Sequence, residues 1–238
     1  MIRFYKKITQ LEDEKIKYSE WKRVDVEEKG VMKKRMKVVQ CEATRQEYGT
    51  LIRKSLNEFR AHVYMVQTQY EQIRTLKENL PKYNVICQMD FAENYSCVHE
   101  DEVQSAYLDN ASVTLYPVVL YYKVDGDSNL HHKSFVFASD EPGHNSSTEY
   151  AFIKDLIPVI LQTPPGTKTV HYITDSPTSQ YRNKYIFHLI TLHGMLFDGI
   201  TVSWHYIEAG HGKGPCDGVG GTAKRLAHMA VRQQKVVI

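Results

Sequence analysis

Three aspartates have the side chains and the sequence settings that cleavage of a phosphodiester bond requires. Asp90 and Asp175 each follow an apolar stretch, whereas Asp217 stands in a stretch rich in glycine. Carboxylates brought side by side repel one another, and Mg²⁺, which prefers oxygen ligands, relieves that repulsion. Two such ions about 4 Å apart can activate a nucleophile on one side of phosphorus and stabilise the leaving oxygen on the other. We therefore predict that the three aspartates are catalytic residues and ligands of Mg²⁺ or Mn²⁺.

The glycine-rich stretch, HGKGPCDGVGGTAKR (residues 211–225), admits two other interpretations. A strand followed by a glycine-rich turn and a helix is a common setting for a nucleotide phosphate, but neither of the usual phosphate-binding spacings occurs here. Asp217 would also repel a phosphate unless a metal ion stood between them. A nucleotide-binding protein that uses this loop is a minor alternative, and an ordinary structural loop is the other. Under the metal interpretation, the glycines allow backbone conformations that place Asp217 just before the last helix.

Further polar residues extend the predicted site. Glu93 is a candidate fourth ligand, and His211 is a candidate catalytic residue that orients water or binds the phosphate. Basic side chains around an acidic pocket can hold nucleic acid through its phosphates, although each one alone is more often a solvated charge. The candidate nucleic-acid-binding residues are Arg182, Lys184, Lys213, Lys224 and Arg225. We expect Gln180, Tyr181 and Asn183 to open the helix that follows Asp175, where they are candidates to contact the substrate; a position in the core is the alternative for Tyr181.

The composition is typical of an ordered intracellular protein. The chain has 238 residues, of which 42% are hydrophobic, so it can bury a substantial core. Its longest apolar runs are too short to span a bilayer, and its first ten residues lack the apolar centre of a signal peptide. The four cysteines form no C-x-x-C pair, so we predict reduced thiols. The loosely spaced set of His205, His211 and Cys216 indicates zinc only weakly.

Residues 1–80 form a predicted basic arm. Their net charge is +6, against −4 for residues 81–238, and a basic arm on an acidic body suits a nucleic-acid partner. The alternation of residues 21–40 around Gly30 predicts a β-hairpin, and the rest of the arm reads as helical. A long helix is predicted from Thr44 to Leu80, where apolar residues recur at spacings of four and three. Such a seam either docks on the body or forms a homodimer through residues 44–80.

Residues 81–238 alternate between short strands and helices. The predicted order is β-β-β-α-β-α-β-α, which gives a mixed α/β sheet flanked by helices. This is the element order of the ribonuclease H-like fold. In that fold the first and fourth strands are neighbours at the centre of the sheet. Asp90 ends the first strand and Asp175 ends the fourth, so their side chains are expected to converge.

Three sequence blocks resemble those of a known group of proteins. DFAENY (90–95), TDSPTSQYRNK (174–184) and HGKGPCDGVGGTAKR (211–225) are similar, in this order, to blocks of uncharacterised transposon-derived proteins of invertebrates. These proteins resemble, more distantly, the DDE transposase and integrase class of the ribonuclease H-like superfamily. The resemblance implies that Asp90, Asp175 and Asp217 take the positions of the three metal-binding acids. Two departures are Thr174, where the group has serine, and an aspartate before the last helix, where many DDE enzymes have a glutamate on it.

The resemblance implies a DDE-type nuclease or strand transferase, derived from a transposase, that acts on DNA by two-metal catalysis in the nucleus. The competing class is a domesticated, catalytically inactive protein that keeps the fold and holds nucleic acid through residues 1–80. RNA is a second candidate partner in either case. Loss of nicking on substitution of Asp90 or Asp175, with DNA retention unchanged, separates the two classes.

Overall fold

The structure, a computed structural model, describes residues 15–28, 30–97, 112–208, 210 and 214–233. Its contacts divide the chain into two compact units, whose boundary falls between Met65 and Val66 inside one long helix. The predicted division at residue 80 lies at the end of that helix and stays a prediction. Residues 1–14, which were predicted to be helical, lie outside the described part. Within the described part, no helix is long and apolar enough to cross a membrane.

The first unit contains a β-hairpin and the beginning of the long helix. Strand β1 (Ile16–Glu28) pairs antiparallel with β2 (Val31–Ala43) over their whole length. Gly30 adopts a φ of 76° at the turn, a left-handed conformation that glycine reaches without strain. Helix α1 (Arg45–Glu78) begins after Thr44, whose N–H and hydroxyl both donate to the Glu47 carboxylate at 2.9 Å. The predicted hairpin and long helix are confirmed.

The second unit contains a six-stranded mixed sheet. The strands are β3 (Asn84–Met89), β4 (Tyr95–Ser96), β5 (Ser112–Lys123), β6 (Leu130–Ser139), β7 (Thr169–Thr174) and β8 (Thr201–Tyr206). Helices α2 (Ser146–Gln162), α3 (Lys184–Leu196) and α4 (Pro215–Arg232) follow β6, β7 and β8. The long strands lie in the order β6–β5–β3–β7–β8, while β4 pairs with the start of β5. Neighbours among β3, β5 and β6 are antiparallel, and β3, β7 and β8 are parallel. The predicted mixed α/β sheet is confirmed.

Apolar residues cover both faces of this sheet. Val85, Cys87 and Met89 of β3 point to one face, where they belong to the core that contains the apolar sides of α2 and α3. Ile86 points to the other face and packs in a second cluster with Leu80, which follows α1. This division follows from the two-residue period of a strand. Both faces of β3 are therefore largely apolar, and Asp90 follows directly at its end.

The helix after β7 begins later than its sequence predicts. The N–H groups of Gln180 and Tyr181 both donate to the carbonyl of Pro177, so these residues form a turn. Asn183 is the N-cap of α3, since its side chain accepts hydrogen bonds from the backbone N–H groups of residues 185 and 186. The prediction that Gln180 and Tyr181 open the helix is therefore wrong. The Tyr181 side chain is instead buried in the protein core.

Candidate active site

Asp90 and Asp175 stand at equivalent positions on two neighbouring parallel strands. The register of β3 and β7 ends with Gln88 beside Ile173, and each aspartate lies two residues beyond that pair. Parallel strands end at the same edge of a sheet, so the two carboxyl groups lie at one edge. The structure thus brings these two predicted ligands together.

Burial and mutual repulsion make these carboxyl groups unusual. Burial, followed by the charges of Asp175 and then Asp217, raises the pKa of Asp90 to about 7, although a hydrogen bond from the Phe91 N–H opposes the shift. Burial also raises the pKa of Asp175. Its Oδ1 atom is buried and has no hydrogen-bond partner among the described residues. A buried carboxylate oxygen without a donor is costly, and a bound cation would remove that cost.

Asp217 lies on α4, so the prediction that it precedes the last helix is wrong. Gly214 is the N-cap, Pro215 is the first helical residue and Asp217 is the third. The Oδ2 atom of Asp217 accepts a hydrogen bond from the Gly214 N–H at 2.9 Å, and an acid in the first turn suits the helix dipole. Asp217 is exposed, yet its charge acts on Asp90. The third predicted metal ligand is therefore on the last helix.

The glycine-rich stretch serves to dock α4 on the sheet. The Cys216 thiol donates to the carbonyl oxygen of Gln88 at 3.2 Å, which fixes the first turn of the helix at the end of β3. A Cβ atom at Gly220 would lie 3.2 Å from the Cβ of Ala92 and 3.4 Å from the Cγ of Pro117. Glycine at this position therefore allows the helix to approach the sheet closely. The close packing of the helix on the sheet therefore explains why position 220 is a glycine, without a bound phosphate.

Replacing Gly220 with valine is expected to destabilise the protein, because the added carbons overpack the contact between helix and sheet. The expected loss in the free energy of unfolding is about 1–3 kcal/mol, measured by urea denaturation. The matched control is Gly221→Val in the same helix, where a Cβ would meet nothing within 4 Å. The control is expected to leave stability unchanged or slightly higher, because valine favours a helix more than glycine does. Equal losses in both variants would contradict the close approach.

A buried polar chain behind Asp90 was missed from the sequence. The Tyr181 hydroxyl donates to Oδ1 of Asp90 at 3.5 Å and also interacts with the Tyr116 hydroxyl. The Tyr116 hydroxyl donates to Oε1 of Glu149 at 2.6 Å. Burial raises the pKa of Glu149 to about 8; its hydrogen bond from Tyr116 opposes the shift, and the charge of Asp90 adds to it. Glu149 thus keeps a proton at neutral pH, at the far end of a chain that reaches the site.

The sequence did contain a signal for Glu149. It stands three residues before Phe152 and seven before Leu156, the spacing of a single helix face, and all three side chains are buried. A carboxyl group on the apolar face of a helix requires a partner. That partner, Tyr116, lies on strand β5, so only the folded arrangement identifies it.

The remaining candidates lie on the surface or outside the described residues. The Glu93 side chain is 98% exposed, and its Oε2 lies 3.9 Å from Nζ of Lys224, a predicted phosphate-binding residue. Its role as a fourth ligand stays a prediction. His211 and Lys213 lie outside the described part of the chain. The other basic candidates are exposed at the surface: Arg182, Lys184 and Arg225.

The donors at the site suit a hard divalent cation, although a complete metal cage is not formed. Among the described residues, no group of three or more His, Cys, Asp or Glu side chains is arranged to hold a metal ion. Asp90 and Asp175 are a pair of oxygen donors, the type that Mg²⁺ and Mn²⁺ prefer. The weakly indicated zinc set includes His211 and so cannot be placed. Its member His205 is a strand residue whose ring lies 5.5 Å from that of His171.

Comparison with known proteins connects the second unit to a family. The family model described as Domain of unknown function (DUF8701) matches residues 69–237. This range contains the whole sheet and all three aspartates, whereas the β1–β2 hairpin precedes it. No curated protein and no solved structure gives a significant match.

Proposed function

Because the chain belongs to DUF8701, a family of unknown function, we propose its activity from the site itself. The proposal is a transposase-derived, DDE-type nuclease or strand transferase that acts on DNA phosphodiesters with Mg²⁺ or Mn²⁺. The observation that carries it is the meeting of Asp90 and Asp175 at the ends of adjacent parallel strands, where Oδ1 of Asp175 has no donor among the described residues. Asp217 contributes a third negative charge from the last helix.

The strand order supports a ribonuclease H-like fold, which is part of the proposal. Three antiparallel long strands come first, and two strands parallel to the first of them follow. Helices separate the later strands, in the order that the sequence predicts. In this arrangement β3 and β7 are central neighbours, and their ends carry the first two acids.

Each residue has a separate task in the proposed reaction. Asp90 and Asp175 would hold the metal ions, and Asp217 would add a ligand when its Oδ2 releases the Gly214 N–H. Bound divalent ions supply activation of the attacking water or hydroxyl and neutralisation of the leaving oxygen. Tyr181 positions the Asp90 carboxyl through its hydrogen bond. Burial of both carboxyl groups strengthens their attraction for a cation.

A catalytically inactive nucleic-acid-binding protein is the second candidate. Two observations favour it. The Asp217 carboxylate already accepts a hydrogen bond from the Gly214 N–H at the start of its own helix. Among the described residues, no three His, Cys, Asp or Glu side chains are arranged to bind a metal ion. Such a protein would hold nucleic acid through residues 1–80 without cutting it. Both candidates bind nucleic acid, with DNA as the preferred partner and RNA as the second. Because DNA is the preferred partner, we also propose a nuclear location. A homodimer through residues 44–80 stays a prediction.

Nicking of supercoiled DNA tests the proposal. The full chain with Mg²⁺ or Mn²⁺ at pH 8 is expected to convert supercoiled plasmid into open circles, and EDTA is expected to stop the reaction. Mn²⁺ is also expected to raise the melting temperature, since saturation at 100 times Kd stabilises a folded protein by about 2.7 kcal/mol. The shift should be larger at pH 8 than at pH 6, because Asp90 must lose its proton to bind the metal. DNA retention with neither nicking nor a metal-induced shift would select the inactive alternative.

A further inference from the structure

The register of the β1–β2 hairpin sorts its charges between two faces. Lys22 stands directly opposite Lys37, and the same face of β2 continues toward the turn with Arg35 and Lys33. All four side chains are exposed. We call these four residues the basic face; the register also places Glu20 and Glu28 of β1 on this side.

The opposite face has a different chemistry. It exposes large apolar side chains, among them Trp21 at 66% and Met32 at 63%. Its charges near the turn are balanced, because two cations and two acids share it. Its cross-strand pairs are Trp21 with Val38, Arg23 with Met36, Asp25 with Lys34 and Glu27 with Met32.

The basic face has an electrostatic cost within the hairpin itself. Like charges directly opposite each other on a sheet are destabilising, and Lys22 and Lys37 form such a pair. Lys22 lies 3.2 Å from an oxygen of Glu20, which relieves part of that repulsion. Residues 21–38 nevertheless carry a net charge of +4. An external polyanion that binds this face would neutralise that net positive charge.

We infer that the basic face docks on the phosphate backbone of duplex DNA, an inference that rests on the proposed action on DNA. A two-stranded β-ribbon fits the major groove of B-DNA. Cations at every second residue of β2 are about 6.7 Å apart, and the phosphates of one strand advance about 3.4 Å each along the helix axis. Because the DNA backbone winds around the axis, successive phosphates of one strand are farther apart than this axial advance, so Lys33, Arg35 and Lys37 are spaced to reach successive phosphates. The site of chemistry and the surface that holds the substrate lie in different units of the chain.

Two matched variants of the full chain test this inference. Arg35→Gln with Lys37→Gln removes an arginine and a lysine from the basic face, and Arg23→Gln with Lys34→Gln removes the same pair from the opposite face. Binding to a 30-base-pair duplex is measured by fluorescence anisotropy over a range of salt concentrations. The basic-face variant is expected to bind roughly tenfold more weakly, with a salt slope smaller by about 2, as befits two lost phosphate contacts. The opposite-face variant is expected to keep both the affinity and the slope.

Equal weakening by the two variants would overturn the inference, since it would show only an effect of net charge. Tighter binding of a single strand of the same length would overturn the assignment to duplex DNA. Arg35→Lys with Lys37→Arg keeps the charges and is expected to bind normally, so a loss of binding there would also count against a phosphate contact. The inference and the proposed activity can fail independently. Asp90→Asn should retain duplex binding, whereas the basic-face variant should retain the Mn²⁺-induced rise in melting temperature.

Discussion

Asp90→Asn is expected to abolish metal-dependent cleavage of DNA and, in metal-free buffer at pH 8, to make the protein more stable. The loss of nicking should exceed about 100-fold, because even residues that only support metal ligands contribute about 10–100-fold. The gain in stability follows from the same group. Burial and the neighbouring acids raise the pKa of Asp90 to about 7 in the folded protein, far above its ordinary value of 3.8. Asparagine can keep the hydrogen bonds from Phe91 and Tyr181 but carries no charge.

The sign of the stability change depends on pH. The protonated form of Asp90 favours the folded state fully below about pH 4, and that contribution is lost as pH rises through 7. Urea denaturation in EDTA should therefore show equal stabilities of wild type and Asp90→Asn near pH 4. Above pH 7 the difference should be on the order of 4 kcal/mol in favour of the variant. Asp155→Asn, which removes an exposed carboxylate from α2, is the control and should change the free energy of unfolding by less than about 0.5 kcal/mol. A less stable Asp90→Asn at pH 8 would show that the carboxylate has a cationic partner in the protein.

The sequence was sufficient for most of the second unit because its strands have strong local signals. Short apolar runs such as those before Asp90 and Asp175 are typical of buried strands, and strand ends are where polar residues become tolerable. Element order then restricts the ways in which such strands can be arranged. The two-residue strand β4 carried no such signal, since it exists only through its pairing with the start of β5.

The site was less accessible from the sequence, for two physical reasons. Glycine disfavours helices by about 1 kcal/mol per residue, so the start of α4 was placed too late. The contact of Gly220 with Ala92 and Pro117 explains why glycine is nevertheless used there. The chain from Asp90 to Glu149 joins residues from separate strands and helices through side-chain hydrogen bonds. Such bonds depend on the register and rotamers of the folded protein, which no local pattern encodes.

Glu149→Gln is expected to remove much of the pH dependence of stability that remains in metal-free protein. The folded pKa of Glu149 is about 8 against an ordinary value of 4.5. Its proton therefore stabilises the folded state fully below pH 4.5, and this contribution is lost as pH rises through 8. Glutamine can still accept the hydrogen bond from Tyr116 and cannot ionise. The variant should exceed wild type in free energy of unfolding by on the order of 4 kcal/mol above pH 8, and by little at pH 4.5.

The double variant Asp90→Asn with Glu149→Gln tests whether the two carboxyl groups interact or affect stability independently. The charge of Asp90 contributes to the raised pKa of Glu149, and the hydroxyls of Tyr116 and Tyr181 lie between the two carboxyl groups. Removing either negative charge reduces the repulsion on the other carboxyl group. The stability gain of the double variant at pH 8 should therefore fall short of the sum of the two single-variant gains by about 0.5–3 kcal/mol. Asp155→Asn combined with Glu149→Gln should be additive. Additive gains in both pairs would mean that the Glu149 carboxyl group does not interact electrostatically with Asp90, because coupled titration is the physical consequence of the charge interaction between them.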